Sequence, residues 1–150
     1  MDAIKEADVI ILGPGSLYTS IIPNLIIKGM SEALASSNAF KIYVCNVMTQ
    51  HGETDRYSAS DHLKAIVEHS NKDVIDACLI NDAPIPSEAL SRYKGEEQFP
   101  VLDDVEKIRE MGYRVVASDL LSVSDYVRHD SAKLNKVLIK LIESNRVIKR

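Results

Sequence analysis

Cysteine is scarce in this 150-residue chain, which has two, Cys45 and Cys78. Two thiols cannot build a disulfide framework, and C-x-x-C metal spacing is missing. Both lie inside apolar runs (IYVCNV and DACLIN), which points to buried free thiols in a reducing compartment. Long hydrophobic runs are lacking as well. No segment approaches the ~18 consecutive apolar residues that span a bilayer, and no charged n-region followed by an apolar h-region is present. Basic charge is also short: 18 Lys plus Arg stand against 22 Asp plus Glu, for a formal net charge of −4. With no basic stripe to neutralise phosphates, a dedicated nucleic-acid binder is disfavoured. The one basic cluster, Arg146, Lys149 and Arg150, reads as the solvated end of a helix. Internal repeats and low-complexity tracts are absent too.

What remains has the composition of a soluble globular domain, 45% hydrophobic and 27% charged. A chain of this length buries roughly two-thirds of its unfolded surface, so one cytoplasmic domain is the first expectation. Four short runs, Ala7–Leu12, Lys41–Cys45, Val74–Ile80 and Tyr113–Ala117, are β-branched and nearly continuous rather than alternating. Such runs fit strands buried on both faces of a parallel sheet.

Helical periods separate them. Met30–Ser37 is one. Asp61–Ser70 places Leu63, Ile66 and Val67 on one face, with Ser58 and Asp61 as a capping box. Asp103–Met111 is closed by Gly112, and in Ser131–Asn145 the residues Leu134, Val137, Leu138, Leu141 and Ile142 recur at helical spacing. The alternation predicts an α/β fold, a mostly parallel sheet flanked by helices. Between the third and fourth strands a stiff NDAPIP loop leads into a short helix. A loop is expected from Ser118 to Asp130.

In such sheets ligands bind outside the carboxyl ends of the strands. The first strand is followed by Gly13-Pro14-Gly15-Ser16-Leu17-Tyr18-Thr19-Ser20. Two glycines permit close backbone approach, and Ser16, Thr19 and Ser20 offer hydroxyls near a helix start. That outlines an anion-binding turn, although the dinucleotide, P-loop and nucleophile-elbow fingerprints are all absent. Spacing alone fits a tight turn with a helix cap equally well.

The second strand is followed by Asn46–Asp55, where Asn46, Thr49, Gln50, His51, Glu53, Thr54 and Asp55 crowd into ten residues. This exceeds what a short connection requires and suggests ligand contact, against a merely solvated loop. Farther on, Tyr93 stands between Arg92 and Lys94, and Arg128 precedes His129. Arg128 suits a phosphate bidentately; alternatively Asp130 caps the last helix and Arg128 is simply exposed. His62 and His69 are seven apart on one helix, a rise of ~10.5 Å, too far to share a zinc ion. A Ser/His/Asp triad drawn from Ser16 with His62 or His129 lacks an elbow. No metal site and no catalytic residue is assigned.

Taken together, "ADVIILGPGSLYTSIIPNLI", "YVCNVMTQHGETDRYSASDH" and "VRHD" resemble the YvcK-like gluconeogenesis-factor family, which shares a superfamily with the CofD 2-phospho-L-lactate transferases. The resemblance runs over essentially the whole chain and implies a Rossmann-like fold for a nucleotide-linked ligand. For the YvcK-like branch that ligand is a UDP-sugar, notably UDP-N-acetylglucosamine, bound by regulators of bacterial carbon and cell-envelope metabolism. For the CofD-like branch it is a guanosine-diphosphate-linked phospholactyl donor. "GPGSLYTS" is similar to the YvcK-like version.

By position, Tyr93 and Arg128 resemble the aromatic and guanidinium that hold the UDP-sugar. Gly13, Gly15, Ser16, Tyr18, Thr19, Asn46, Thr49, Glu53, Thr54 and Asp55 would line the same crevice. The transferase alternative implies Mg²⁺ on the phosphates, with Glu53, Asp55 or Asp61 as ligands that spacing does not separate. No other cofactor is implied. The family's opening strand and "GGGTG"-type turn have no counterpart here. Residues 1–150 therefore resemble the C-terminal part of one Rossmann-like domain, its sheet incomplete on the N-terminal side. The exposed edge this implies leaves room for a protein partner or a second copy.

Overall fold

The apolar runs around residues 42 and 79 become the middle of a sheet because both of their faces find cover. The computed structural model describes residues 2–91, 93, 95–123 and 126–148. In chain order it contains α1 (Asp2–Glu6), β1 (Val9–Leu12), a π-helical turn (Leu17–Ile21) running into α2 (Ile22–Leu25), α3 (Met30–Ser36) and β2 (Phe40–Val44). There follow α4 (Ala59–His69), a 3-10 turn (Lys72–Val74), β3 (Ala77–Asn81), α5 (Ser87–Ser91), α6 (Val105–Glu110) and β4 (Arg114–Ser118). The chain then makes β5 (Leu121–Val123), β6 (Val127–His129) and α7 (Ser131–Ile148). Strands β1 to β4 form one parallel sheet in the order β1-β2-β3-β4. Ile11 pairs with Ile42, Val44 with Leu79, and Leu79 with Val116. This is the expected α/β, Rossmann-like arrangement.

Alternation along the strands sorts the core into two layers. Tyr43, Cys45, Cys78 and Ile80 pack with Leu17, Leu25, Leu34, Leu63, Ile66 and Ile108. Ile42, Val44, Ala77 and Leu79 pack on the other side with Leu141 and the half-buried Leu134, Val137, Leu138 and Ile142 of α7. Both thiols are free and buried. Burial pushes the Cys45 thiol up to about 12 and Cys78 well above its ordinary value, so neither ionises near neutrality. Among the described residues no helix is long and apolar enough to cross a membrane.

The expected helix signals act as read. Ser58 Oγ accepts the Asp61 N–H at 3.3 Å while Asp61 Oδ2 accepts the Ser58 N–H at 2.9 Å, which closes the capping box of α4. Gly112 turns at φ +90° after α6. Asp130 does cap α7, its Oδ1 accepting the amides of Ala132 and Lys133, each at 2.9 Å, and Arg128 is exposed.

Three expectations need correction. The first strand begins at Val9 rather than Ala7, after the short helix α1. The third strand begins at Ala77 rather than Val74, because Asn71 Oδ1 takes the Asp73 amide at 2.9 Å and holds the chain in a 3-10 turn. The segment 118–130 is not a loop throughout: β5 and β6 pair antiparallel, Leu121 with His129 and Val123 with Val127. Arg92, Lys94, Lys149 and Arg150, named above in basic pairings, lie outside the described residues.

His62 is fully buried on α4, its Nδ1 2.8 Å from the Ser58 carbonyl, and its ring meets Tyr57 edge-on. Burial lowers its pKa below the ordinary 6.5. The unfolded chain then takes up the proton before the folded one, so stability is full above about pH 6.5 and declines as pH falls below it. The slope for one such histidine is at most about 1.4 kcal/mol per pH unit. Urea midpoints should drop from pH 7 to pH 5, and His62→Gln should flatten the profile.

Candidate functional site

The site starts at a glycine. Gly13, just past β1, sits at φ +84°, and a Cβ there would lie 2.8 Å from the Val44 carbonyl oxygen. Only glycine lets the first loop cross so closely over the end of β2. The Gly13–Pro14 peptide is cis. Beyond it the Gly15 N–H donates to Asn46 Oδ1 at 3.3 Å, which ties the first loop to the second. Ser16 caps the π-helical turn, its Oγ accepting the Thr19 N–H at 3.3 Å. The same hydroxyl donates to Glu53 Oε2 at 2.6 Å, and the Thr19 hydroxyl donates to it in turn.

The loop after β2 is held from beneath by a strap of residues 98–101. The Thr49 N–H donates to the Phe99 carbonyl at 2.7 Å, Thr49 Oγ1 accepts the Phe99 N–H at 2.9 Å, and the Val101 N–H donates to the Val47 carbonyl at 2.9 Å. After β4 the β5–β6 hairpin supplies the third wall. It rests on a small cluster of its own, in which Val47, Ala89, Tyr93, Leu121 and Val127 pack together.

Between these walls, at the carboxyl edge of the sheet, lies an open cleft of about 510 Å³. Gly15, Ser16, Asn46, Thr49 and Arg128, all expected site residues, line it. The other expected residues serve it from outside. Gly13 makes the turn, and Thr19 and Glu53 hold Ser16. Tyr18 turns toward α4, where its hydroxyl shares a 2.9 Å hydrogen bond with that of Tyr57, a contact that with burial raises its pKa to about 12. Thr54 is fully buried, its Oγ1 accepting the Gln50 N–H at 2.9 Å. Asp55 accepts the Gly52 N–H at 3.0 Å.

Tyr93, which resembles the aromatic that holds the UDP-sugar, is only 5% exposed, and its hydroxyl accepts the Val127 N–H at 2.6 Å. The aromatic beside Arg128 is Tyr126, 52% exposed, with the guanidinium carbon 5.4 Å from its ring centroid.

Met48, Gln50, Gln98 and His129 also line the cleft. Gln50 was visible as part of a polar run, and His129 as the neighbour of Arg128. Gln98 carried no local signal, because the strap delivers it from beyond α5. Two atoms on this wall, Gln50 Oε1 and His129 Nε2, are buried without a hydrogen-bond partner among the described residues. Burial lowers the His129 pKa, partly offset by its hydrogen bond to the Cys45 backbone. Among the described lining residues Arg128 is therefore the cationic group at neutral pH, and it forms no ion pair with another described residue.

The expected magnesium ligands do not converge: Glu53 is on Ser16, Asp55 on Gly52, and Asp61 in the α4 cap. No group of three metal-ligating side chains occurs among the described residues. These residues do not fit a protein-held Mg²⁺.

The family model described as 2-phospho-L-lactate transferase CofD matches residues 1–121. The chain belongs to that family. It is similar to proteins named gluconeogenesis factors. It is 42% identical over 141 residues to the gluconeogenesis factor of Halalkalibacterium halodurans, covering 93% of this chain and 44% of that protein. It is 43% identical over 144 residues to the gluconeogenesis factor of Bacillus subtilis, covering 95% and 45%. A crystal structure of a member of the UPF0052 family from Bacillus halodurans superposes with a TM-score of 0.89 at 42% identity, over 92% of this chain and 44% of that one. The chain thus spans less than half the length of these relatives.

Within this family member, Gly13 is the residue on which the cleft's first wall turns. Gly13→Ala should lower unfolding free energy by at least roughly 1–3 kcal/mol, the usual cost of a strained backbone conformation, with the close contact adding to it. Urea denaturation measures this directly.

Proposed function

We propose that the cleft binds a nucleotide-diphosphate-linked sugar, UDP-N-acetylglucosamine, and that the protein acts as a ligand-responsive regulator of carbon and cell-envelope metabolism rather than by turnover. One observation carries this. Arg128, without an ion pair among the described residues, shares a cleft of about 510 Å³ with Gly15, Ser16, Asn46 and the unpartnered Gln50 carbonyl. Guanidinium geometry suits a diphosphate, and amide and hydroxyl groups suit the sugar and base. The volume is in the range of small-molecule sites, and the position is where open α/β sheets take ligands. The resemblance of GPGSLYTS and NVMTQHGET to the YvcK-like regulators supports the choice of nucleotide.

The reading extends to the whole protein. The chain covers 44% and 45% of the two gluconeogenesis factors, and β1 ends the sheet with Ile11 46% exposed. These support residues 1–150 as the C-terminal part of one family domain whose open edge takes further chain or a partner.

The family model's own description favours a second reading, transfer of a phospholactyl group from a nucleotide-diphosphate donor. The scattered carboxylates count against it where a protein-held divalent ion is needed.

Calorimetric titration with UDP-N-acetylglucosamine should give saturable binding, and GDP-linked donors should release no GMP. Arg128→Ala should weaken binding about 10–100-fold, the scale of a lost charge-assisted contact. Absence of heat at millimolar ligand would remove the binding claim. Unchanged affinity in Arg128→Ala would take that residue out of the site.

A further inference from the structure

Tyr93, Tyr126 and Arg128 form a continuous chain of contacts. The Tyr93 and Tyr126 rings meet edge-on, centroids 6.4 Å apart at 71°, and the Arg128 guanidinium lies over the Tyr126 ring. From Tyr126 into β6 the side chains alternate: Val127 is buried with Tyr93, while Tyr126 and Arg128 are exposed. The hairpin has only three residues in each strand, too few to hold itself in water. Its underside is fixed instead by the Val127 N–H donating to the Tyr93 hydroxyl, a buried hydrogen bond of 2.6 Å. Without that hydroxyl the amide would lose its buried acceptor.

We infer that Tyr93 is a positioning residue for the ligand's phosphates: with Tyr126 it forms a two-tyrosine brace that presents Arg128 to the cleft, and it does not itself touch the ligand. Tyr93 fixes the backbone of β6 through the Val127 amide. Tyr126 holds the guanidinium by a cation–π contact, the guanidinium carbon 5.4 Å from its ring centroid. Arg128 is thereby pre-ordered, so less rotamer freedom is lost when a diphosphate binds. This rests on the nucleotide-sugar reading for its ligand, but the brace itself exists without ligand.

The test separates a brace from a stacking platform. Tyr93→Phe keeps the ring and removes only the hydroxyl. It should weaken UDP-N-acetylglucosamine binding about tenfold, the scale of one buried hydrogen bond. Tyr126→Leu should cost about 2–5-fold, the scale of an exposed cation–π contact. In an Arg128→Ala background both substitutions should have almost no further effect, because the group they position is gone.

Tyr93→Phe binding like the unaltered protein would overturn the inference. So would an equal loss in the Arg128→Ala background, which would mean that Tyr93 meets the ligand directly. Amide hydrogen exchange supplies a readout that needs no ligand. The Val127 amide should be protected in the unaltered protein and exchange at least tenfold faster in Tyr93→Phe, at equal overall urea stability. If UDP-N-acetylglucosamine does not bind at all, the functional reading fails and the exchange result alone judges the brace: an unprotected Val127 amide sinks it.

Discussion

Gly13 passes over the end of β2 at a distance no side chain permits, and the geometry of the cleft follows from that contact. A Cβ there would sit 2.8 Å from the Val44 carbonyl. The crossing drops Gly15 beside Asn46, and Asn46 receives the Gly15 amide. Ser16 then starts the π-helical turn and reaches Glu53 on the second loop. The parallel pairing of β1 with β2, Leu12 opposite Tyr43, brings the two loops to the same edge. A residue with a side chain at position 13 would separate them.

The sheet beneath was readable because its chemistry is uniform. Every residue of β2 is buried, and β3 nearly so, so a nearly continuous apolar run was the correct signature of a strand covered twice. The α4 cap was equally plain, since Ser58 and Asp61 act on neighbours in sequence. The β5–β6 hairpin was not legible. Three-residue strands show no usable period, and the hydroxyl that takes the Val127 amide comes from Tyr93, 34 positions upstream. Gln98 was hidden for the same reason, because its place on the cleft wall comes from the bond between Thr49 and Phe99.

The site residues divide in the same way. Positions that touch the cleft through local loops, Gly15, Ser16, Asn46 and Thr49, were identified from residue type and placement. Tyr93 resembles a ligand-holding aromatic in sequence, whereas the structure buries it and puts its hydroxyl on the Val127 amide. Thr54 is a similar case: its hydroxyl completes the loop by holding the Gln50 amide. Around both, polar groups that looked like ligand contacts satisfy the protein's own backbone. Of the buried polar atoms without a partner among the described residues, Gln50 Oε1 and His129 Nε2 belong to cleft-lining residues, as Arg128 does, while Tyr43 OH and His62 Nε2 lie in the core.

The most direct check is a map of backbone amide chemical shifts as UDP-N-acetylglucosamine is added. The cleft account predicts shifts concentrated at Gly15–Ser16, Asn46–Gln50 and Val127–His129, with the amino edge of the sheet around Lys41 and Arg114 unmoved. Saturable shifts at that opposite edge, with the cleft amides unchanged, would contradict it.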